Sequence, residues 1–403
     1  MSTKIWLHKN HLYKCDMLHY ITIISSQDVI PSMKPLFIKN MTLPEAEVLF
    51  ASLNEKPYRA QQLFNWLYER NIDSFMEMTN FSKDLRRTLA EQYVLSPLSL
   101  EERQVSRDGT EKFLFRTCDD NFIESVLLKN DGTEDGRLTI CISSQIGCAM
   151  GCSFCETAKI GFRRNLETAE IIDQVCHVRR LSGLKNNNIV FMGMGEPFMN
   201  YDNVLKAADI MNYSFGFHIS TRKITISTCG VLPGIERFID EKRPYNLALS
   251  LNDTLPEKRQ KVMPVEKKYP ISNISELLER KFPVSRNRVT LEYVMRGDNI
   301  SKEDAMRLKK MFRYSRIKLN LIKLNEGKHS LDIPSPEKVD DFIRELMIMN
   351  IPISIRKSLG SDISAACGQL SGKRYDEKLT IVINKDCADA ETIIEEHVQQ
   401  CGT

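Results

Sequence analysis

The chain has 403 residues, of which 42% are hydrophobic and 27% are charged, and its net charge at pH 7 is +3. This composition is that of an ordinary globular protein and excludes a collagenous or largely disordered chain, while the charge is too small to indicate a class of partner. No run approaches the roughly 20 consecutive apolar residues that a membrane helix needs, so no membrane partner is expected. Eleven cysteines are present, and three of them fall within eight residues, as Cys148, Cys152 and Cys155.

The first 130 residues divide into an appendage and a small domain. Residues 1–32 carry no secretory signal, and we treat them as an appendage to the fold. Residues 33–130 form a predicted α+β accessory domain. Its three helices are expected to begin at Leu43, close to Arg59 and after Ser82. Residues 110–128 then alternate between apolar and polar side chains around a turn at 118–121, which predicts a β-hairpin.

Residues 131–372 alternate strands with amphipathic helices. Strands are predicted at 138–143, 189–192, 223–227, 246–251, 288–294, 318–324 and 353–357. Helices are predicted between them, most clearly at 168–181, 204–211, 274–282, 302–312 and 336–349. This alternation implies the parallel βαβ units of an α/β protein, either as an open sheet or as a full or partial barrel. Residues 373–403 follow as an acidic C-terminal extension, because residues 376–403 hold seven acidic and two basic side chains.

Residues that could carry chemistry follow the predicted strands at their carboxyl ends. The cysteine cluster follows the first strand. Further candidates follow the later strands, at Gly195, Glu196, Ser227, Ser250, Leu251, Asn252 and Asn325. In a barrel of parallel strands the active site collects at this end, so these residues are expected to lie around one site.

The cysteine cluster is the strongest single signal. Its spacing leaves three residues between Cys148 and Cys152 and two between Cys152 and Cys155, with Gly147 and Gly151 beside the cysteines. A [4Fe-4S] cluster held by three thiolates keeps one iron open for a substrate or cofactor. Structural zinc needs four ligands, so a zinc site completed by a distant ligand remains the alternative.

Three cysteines at this spacing after a first barrel strand resemble the radical S-adenosylmethionine (SAM) superfamily. Further stretches are similar to the signatures of its RNA adenine methyltransferases, the RlmN/Cfr family, at residues 138–148, 161–166, 192–197, 263–264 and 362–370. The resemblance covers residues 33–372. It implies a partial TIM-type barrel with a small N-terminal accessory domain, and it makes that accessory domain a candidate RNA contact.

The resemblance also assigns the cofactors and their ligands. A [4Fe-4S] cluster is expected on Cys148, Cys152 and Cys155, with SAM chelating the open iron. Gly195 and Glu196 are expected to meet the amino group of SAM. Its ribose, carboxylate and adenine are expected to contact the other strand-end residues, at Ser227, Ser250, Leu251, Asn252 and Asn325.

Two further cysteines and a glutamate acquire roles through the resemblance. Cys367 is expected to take a methyl group from one SAM molecule, and a second SAM supplies the radical that activates it. After the carbon has joined the base, Cys141 is expected to resolve the RNA adduct by forming a transient disulfide with Cys367. Glu124 is the candidate base for the proton at C2. Without the resemblance, Cys141 and Cys367 would be interpreted as small buried hydrophobic residues.

The expected substrate is an adenine of 23S ribosomal RNA, and transfer RNA is a second candidate. The sequence Gly195-Glu196-Pro197 is the form usual in the RlmN branch, so methylation at C2 is expected rather than at C8. A cytoplasmic monomer is expected, with an electron donor such as flavodoxin or ferredoxin. Two alternatives stay open, a Cfr-like C8 methyltransferase and a non-catalytic RNA-binding protein with zinc on its three cysteines.

Overall fold

The computed structural model describes residues 35–129, 138–184, 187–281, 289–311, 317–325, 331–356 and 358–370. The predicted appendage, the predicted extension and the predicted domain boundary at residue 130 lie outside these residues and stay predictions. Two compact units are distinguished, Met1–Leu36 and Phe37–Thr403, and every element below belongs to the second.

Three α-helices come first in the chain, and side chains cap the amino ends of the first and the third. They are α1 (Leu43–Ser52), α2 (Tyr58–Phe64) and α3 (Lys83–Gln92). Thr42 and Glu45 form a capping box, in which each side chain accepts a hydrogen bond from the backbone amide of the other. Ser82 caps α3 by accepting from the Leu85 amide at 3.1 Å. All three predicted helices are confirmed, and a short π-helical segment, Asn65–Glu69, follows the second.

Ten of the strands in the described residues form one sheet, and two form a separate hairpin. The strands are β1 (Leu98–Val105), β2 (Glu111–Thr117), β3 (Phe122–Lys129), β4 (Leu138–Cys141), β5 (Gln145–Gly147), β6 (Phe162–Asn165), β7 (Asn187–Phe191), β8 (Ile224–Thr228), β9 (Asn246–Ser250), β10 (Val289–Met295), β11 (Ile317–Lys323) and β12 (Ile353–Arg356). The order in the large sheet is β1-β2-β3-β4-β7-β8-β9-β10-β11-β12, and β5 pairs with β6.

β4 and the six strands from β7 to β12 run parallel to one another. On the other side of β4, the sheet continues through β3, β2 and β1, which pair antiparallel. The remaining helices are α4 (Glu156–Lys159), α5 (Thr168–Ser182), α6 (Tyr201–Asn212), α7 (Leu232–Asp240), α8 (Pro256–Val262), α9 (Ile271–Lys281), α10 (Lys302–Met311) and α11 (Pro336–Ile348). Parallel strands joined by helices confirm the α/β class. Among the described strands β12 has a neighbour on one side, so the barrel is partial, as predicted.

All seven strands and all five helices predicted for residues 131–372 are confirmed, with ends that differ by at most three residues. The predicted hairpin is confirmed as β2 and β3. The structure adds β1, the β5–β6 hairpin and the helices α4, α7 and α8. Of these helices, α4 and α8 have only 4 and 7 residues, too few to give a clear period. None of the described helices is long and apolar enough to cross a membrane.

The helical N-terminal region is anchored to the barrel through α5. The Lys39 ammonium is paired with the Asp173 carboxylate on α5, and both side chains are buried. Asp173 also accepts from the Ser96 hydroxyl at 2.6 Å and from the Leu98 amide at 3.2 Å. Removing one partner of a buried ion pair typically costs about 3–5 kcal/mol of stability, because the other charge is left buried and unpaired. These contacts therefore fix the segments before α1 and after α3 to α5.

Candidate active site

A cavity of about 600 Å³ lies inside the barrel. Its wall is formed by side chains of β3, β4, β7, β8, β10, β11 and β12 and by the loop after β12. The lining includes both Cys141 and Cys367, and two charged side chains, Glu292 and Arg356. The volume falls in the range of small-molecule sites, roughly 300–1,000 Å³. This cavity is therefore the candidate active site.

Cys141 and Cys367 reach the cavity from distant parts of the chain. Cys141 ends β4 and is buried, whereas Cys367 lies in the loop after β12 and is exposed, and both thiols are free. Asn325, at the end of β11, donates its side-chain N–H to the Cys367 carbonyl oxygen at 3.2 Å. Burial and repulsion from the Cys367 sulfur raise the pKa of Cys141 to about 12. The structure thus brings the two predicted cysteines to one cavity, with Cys141 as a thiol that needs a base before it can attack.

Glu124 lies on the strand that borders Cys141. Val126, two residues along the same face of β3, lines the cavity and pairs in register with Cys141 on β4. The Glu124 carboxylate is 6% exposed and forms an ion pair with the Lys112 ammonium, with 3.3 Å between Oε1 and Nζ. No sequence signal marks Lys112, because only the pairing of β2 with β3 brings it to Glu124. The ion pair orients the carboxylate at this wall of the site.

The three clustered cysteines lie on the loop that joins β5 to β6. The hairpin closes the loop at its base, where the Cys148 amide donates to the Gly161 carbonyl oxygen at 3.1 Å. Gly147 has a φ of +71°, and a Cβ at this position would lie 1.7 Å from the Gly161 oxygen. Only glycine fits there. The cysteine loop comes after β4, the first barrel strand, and the short β5 lies between them as part of the hairpin.

The cysteine loop is bonded to the loop that carries Cys367. The Glu156 amide, next to Cys155, donates to the Gly368 carbonyl oxygen at 2.7 Å. A Cβ on Gly368 would lie 2.9 Å from the Phe154 oxygen, so the two loops touch through their backbones. This contact fixes the position of Cys367 relative to the clustered cysteines.

Gly195 and Glu196 form the turn after β7. A Cβ on Gly195, which has a φ of +100°, would lie 2.6 Å from the Gln145 Cβ, so the turn packs tightly on β5. The buried Glu196 carboxylate accepts from the Phe198 amide at 3.0 Å and from the Cys229 amide at 2.8 Å. Burial raises the pKa of this carboxyl group. Glu196 therefore joins the turn to the end of β8, and its predicted contact with SAM stays a prediction.

The other predicted SAM contacts lie at the ends of β8, β9 and β11. Ser227 is on the same face of β8 as Thr225, which lines the cavity, and Asn325 lines the cavity itself. Asn252 is buried with a φ of +57°, a left-handed conformation that asparagine tolerates better than most residues. Its side-chain oxygen accepts from the Val294 amide at 3.0 Å. The structure thus turns Ser227 and Asn325 towards the cavity and engages Asn252 with β10.

A buried arginine that no sequence pattern marks holds two of these strand ends. The guanidinium of Arg259, on α8, donates to the carbonyl oxygens of Leu251 at 2.9 Å and Ser250 at 3.1 Å. It also donates to the Cys229 carbonyl oxygen at 2.7 Å. Glu266 balances its charge at 2.5 Å. Arg259 therefore fixes the backbone at Ser250 and Leu251, two of the predicted SAM contacts.

The donor set of the cysteine loop fits an iron–sulfur cluster. Cys148, Cys152 and Cys155 are free, partly exposed thiols in a loop whose flanking residues Gly147 and Gly151 have positive φ. Cysteine thiolates are the usual ligands of such clusters. In the part of the chain that the structure describes, no group of three or more histidine, cysteine, aspartate or glutamate side chains is already arranged to hold a metal ion.

Two family descriptions match parts of the chain. Residues 38–95 match the Ribosomal RNA large subunit methyltransferase N-terminal domain. Residues 142–308 match the Radical SAM superfamily. The second match includes the cysteine loop, the turn after β7 and the ends of β8 and β9.

Known proteins are similar to this chain over most of their length. The dual-specificity RNA methyltransferase RlmN of Geobacter sulfurreducens is 45% identical over 339 residues, which cover 83% of this chain and 92% of that protein. The protein of the same name from Geotalea uraniireducens is 44% identical over 344 residues, which cover 85% of this chain and 98% of that protein. The crystal structure of a radical SAM methyltransferase from Sphaerobacter thermophilus has a TM-score of 0.78 and 38% identity, and covers 83% of this chain and 99% of that one. The resemblance seen in the sequence and the predicted fold are confirmed.

Proposed function

The chain belongs to the RlmN family of radical SAM RNA methyltransferases, and we propose that it methylates C2 of an adenine in 23S ribosomal RNA and in transfer RNA. The observation that carries this proposal is that Cys141 and Cys367 line one cavity, although 226 residues separate them in the chain. Methylation of adenine C2 by the proposed route needs two thiols at one site, one to carry the carbon and one to release the product.

The position of C2 in adenine explains the need for a thiol carrier. This carbon lies between two ring nitrogens and is electron-poor, so it cannot attack the methyl group of SAM as a nucleophile. A cysteine thiolate can take that methyl group by displacement and present it to the base. Cys367 suits this role because its exposed position on the cavity is open to both reactants.

The cysteine loop would hold the cofactor beside this carrier. Cys148, Cys152 and Cys155 would bind a [4Fe-4S] cluster, which together with SAM supplies a 5′-deoxyadenosyl radical. The bond from the Glu156 amide to the Gly368 carbonyl oxygen keeps the loop against the Cys367 segment. The remaining contacts to SAM are assigned to the strand ends, at Gly195, Glu196, Ser227, Ser250, Leu251, Asn252 and Asn325.

Replacing Gly147 with alanine is expected to prevent assembly of the cluster site. The new Cβ would clash with the Gly161 oxygen, and the left-handed backbone costs an alanine about 1–2 kcal/mol more. We expect iron bound after anaerobic reconstitution to fall roughly tenfold or more, as measured by iron analysis and visible absorbance. Gly183→Ala is the matched control, because Gly183 also has a φ of +71° but open space at its Cβ position. Equal iron content in the two variants would contradict the prediction.

Three side chains divide the work on the RNA base. Cys367 carries the carbon and becomes joined to the base through it. Cys141 then attacks the Cys367 sulfur, so that a disulfide forms and the sulfur–carbon bond breaks with its electron pair on the carbon, which takes up a proton to become the methyl group. The methylated base leaves after its remaining unpaired electron has passed to an oxidised electron carrier. Glu124, oriented by its ion pair with Lys112, takes the proton from C2. The disulfide must be reduced after each turnover, which is consistent with a cytoplasmic enzyme.

The partners follow from the same scheme. A cluster held by this loop would need an electron to cleave SAM, so we propose a small electron carrier of the flavodoxin or ferredoxin type as a partner. The accessory domain, residues 33–130, is proposed to contact RNA, and residues 38–95 within it match the methyltransferase N-terminal domain. The enzyme is proposed to act as a monomer.

Mass spectrometry of RNA nucleosides tests the proposed function. The reconstituted protein is incubated anaerobically with 23S ribosomal RNA fragments or transfer RNA and with SAM that carries a trideuterated methyl group. We expect 2-methyladenosine whose new methyl group retains two of the three deuterium atoms, because one is lost when the methyl group on Cys367 is activated. Labelled 8-methyladenosine would indicate a Cfr-like enzyme instead. Protein that binds zinc and RNA but methylates nothing would contradict an enzyme function.

A further inference from the structure

A line of polar side chains crosses three neighbouring strands inside the barrel. Glu292, Asn320 and Ser354 are paired in register on β10, β11 and β12. The Asn320 side-chain N–H donates to Glu292 Oε2 at 2.8 Å, and the Ser354 hydroxyl donates to Asn320 Oδ1 at 3.0 Å. The carboxylate is thus held in one orientation, although it is 6% exposed and lines the cavity.

Arg356 supplies the opposite charge on the same cavity. It lies two residues after Ser354 on β12, and its Nη1 donates to Met192 Sδ at 3.5 Å. The guanidinium opposes the rise in the pKa of Glu292 that burial causes, and interaction with the Cys367 sulfur raises the pKa of Arg356. No direct ion pair joins Glu292 and Arg356, both of which lie in the described residues. Arg356, Glu292, Cys141 and Cys367 line the same cavity, so the guanidinium shares that space with the carboxylate and the cysteine pair.

The Glu292 carboxylate can accept a hydrogen bond in the cavity, and the Arg356 guanidinium can donate one there. Together they suit a ligand that has a hydrogen-bond donor next to an acceptor. The Watson–Crick edge of adenine places the N6 amino donor beside the N1 acceptor, and C2 adjoins N1. Enzymes that act on an extruded base read this edge by hydrogen bonds. Neither Glu292 nor Arg356 is among the residues that the sequence singles out.

We propose that Glu292 and Arg356 recognise the target adenine by this edge, with the carboxylate accepting from N6 and the guanidinium donating to N1. The inference rests on the proposed function and deepens it. It places C2 next to the guanidinium and so on the side of Cys141 and Cys367. Guanine is disfavoured, because its O6 would face the carboxylate and its N1–H would face the guanidinium.

The adenine of SAM offers the same edge, and two observations favour the RNA base. The cavity contains both Cys141 and Cys367, and the second of these must be joined to the RNA during the reaction. Of the seven predicted SAM contacts, all within the described residues, Asn325 alone lines this cavity.

A cycle of enzyme and RNA variants tests the assignment. The RNA that the wild-type enzyme methylates is prepared with either adenosine or purine ribonucleoside, which lacks the N6 amino group, at the target position. We expect the loss of N6 to lower kcat/KM of the wild-type enzyme roughly 10- to 100-fold, as for a hydrogen bond to a charged group. Glu292→Met is expected to lower kcat/KM on the adenosine RNA by a similar factor and to show no further loss on the purine RNA. Glu276→Met, an exposed substitution on α9, is expected to behave as the wild type does.

Several outcomes would overturn the assignment. An equal penalty for purine in the wild-type enzyme and in Glu292→Met would show that Glu292 does not contact N6. SAM binding, measured by equilibrium dialysis without RNA, is expected to stay within about twofold, and a loss similar to that in kcat/KM would assign Glu292 to the cofactor instead. Glu292→Gln keeps an acceptor oxygen, so kcat/KM of this variant is expected to be lower on the purine RNA than on the adenosine RNA, as in the wild type. This variant preserves the test if the methionine variant does not fold. Absence of methylation of adenosine RNA by the wild type would count against the proposed function itself.

Discussion

Replacing Cys367 with alanine is expected to abolish RNA methylation, with a loss of roughly 10³-fold or more. In the proposed chemistry this sulfur forms the only bond through which the carbon reaches the base, so no other group can take over a partial role. The residue is exposed and contributes little to the core, so the fold and the cysteine loop are expected to stay intact. Transfer of the labelled methyl group to RNA is the measurement, with iron content and thermal unfolding as checks on integrity.

Cys118→Ala is the matched control for this substitution. Cys118 is also exposed and free, and it lies in the turn between β2 and β3 rather than on the cavity. Its removal is expected to leave methylation within about twofold of the wild type. Substantial turnover by Cys367→Ala with a full complement of iron would refute the methyl-carrier role.

Replacing Cys141 with alanine is expected to trap the RNA on the protein. Without the second thiol nothing breaks the bond between the Cys367 sulfur and the carbon on the base, so the adduct accumulates to about one RNA per chain and turnover stops. Nuclease digestion followed by peptide mass spectrometry is expected to find a nucleotide attached to the peptide that contains Cys367. A Cys141→Ala enzyme with full turnover and no adduct would rule out the two-cysteine mechanism.

A second buried cysteine serves as the control for the Cys141 substitution. Cys176 on α5 is buried and free, and it does not line the cavity. Both alanine variants lose a buried sulfur, which costs on the order of 1 kcal/mol of stability. Only Cys141→Ala is expected to accumulate the adduct, so the comparison separates chemistry from destabilisation.

The pKa of Cys141 adds a pH dependence to the resolution step. A thiol with a pKa of about 12 is almost entirely protonated at neutral pH. Because the thiolate is the attacking species, release of methylated RNA from the wild-type adduct is expected to speed up as the pH rises from 7 to 9. The pH range lies below the pKa, so the thiolate fraction grows throughout it. Rapid-quench measurement of adduct decay reports this rate directly.

The sequence by itself determined most elements of the fold and located the loop that carries the three candidate cluster ligands. Alternation of apolar residues and helix caps are local signals, and they located the parallel strands and five of the helices between them to within three residues. The spacing of Cys148, Cys152 and Cys155 is local as well, because all three ligands of the predicted cluster lie in one loop. The roles of Cys141 and Cys367 came from the resemblance of the stretches around them, residues 138–148 and 362–370, and not from their composition or spacing.

The tertiary structure decided which side chains meet. The ion pair of Lys112 with Glu124 depends on the register of β2 and β3, and the line from Glu292 to Ser354 depends on the register of three parallel strands. Arg259 reaches carbonyl groups just after the ends of β8 and β9 from a helix that follows both strands. Such contacts join residues far apart in the chain, and a shift of one residue in strand pairing would turn the side chains to the opposite face. A local sequence pattern therefore cannot predict these contacts, which form only when the strands and helices of the barrel pack together.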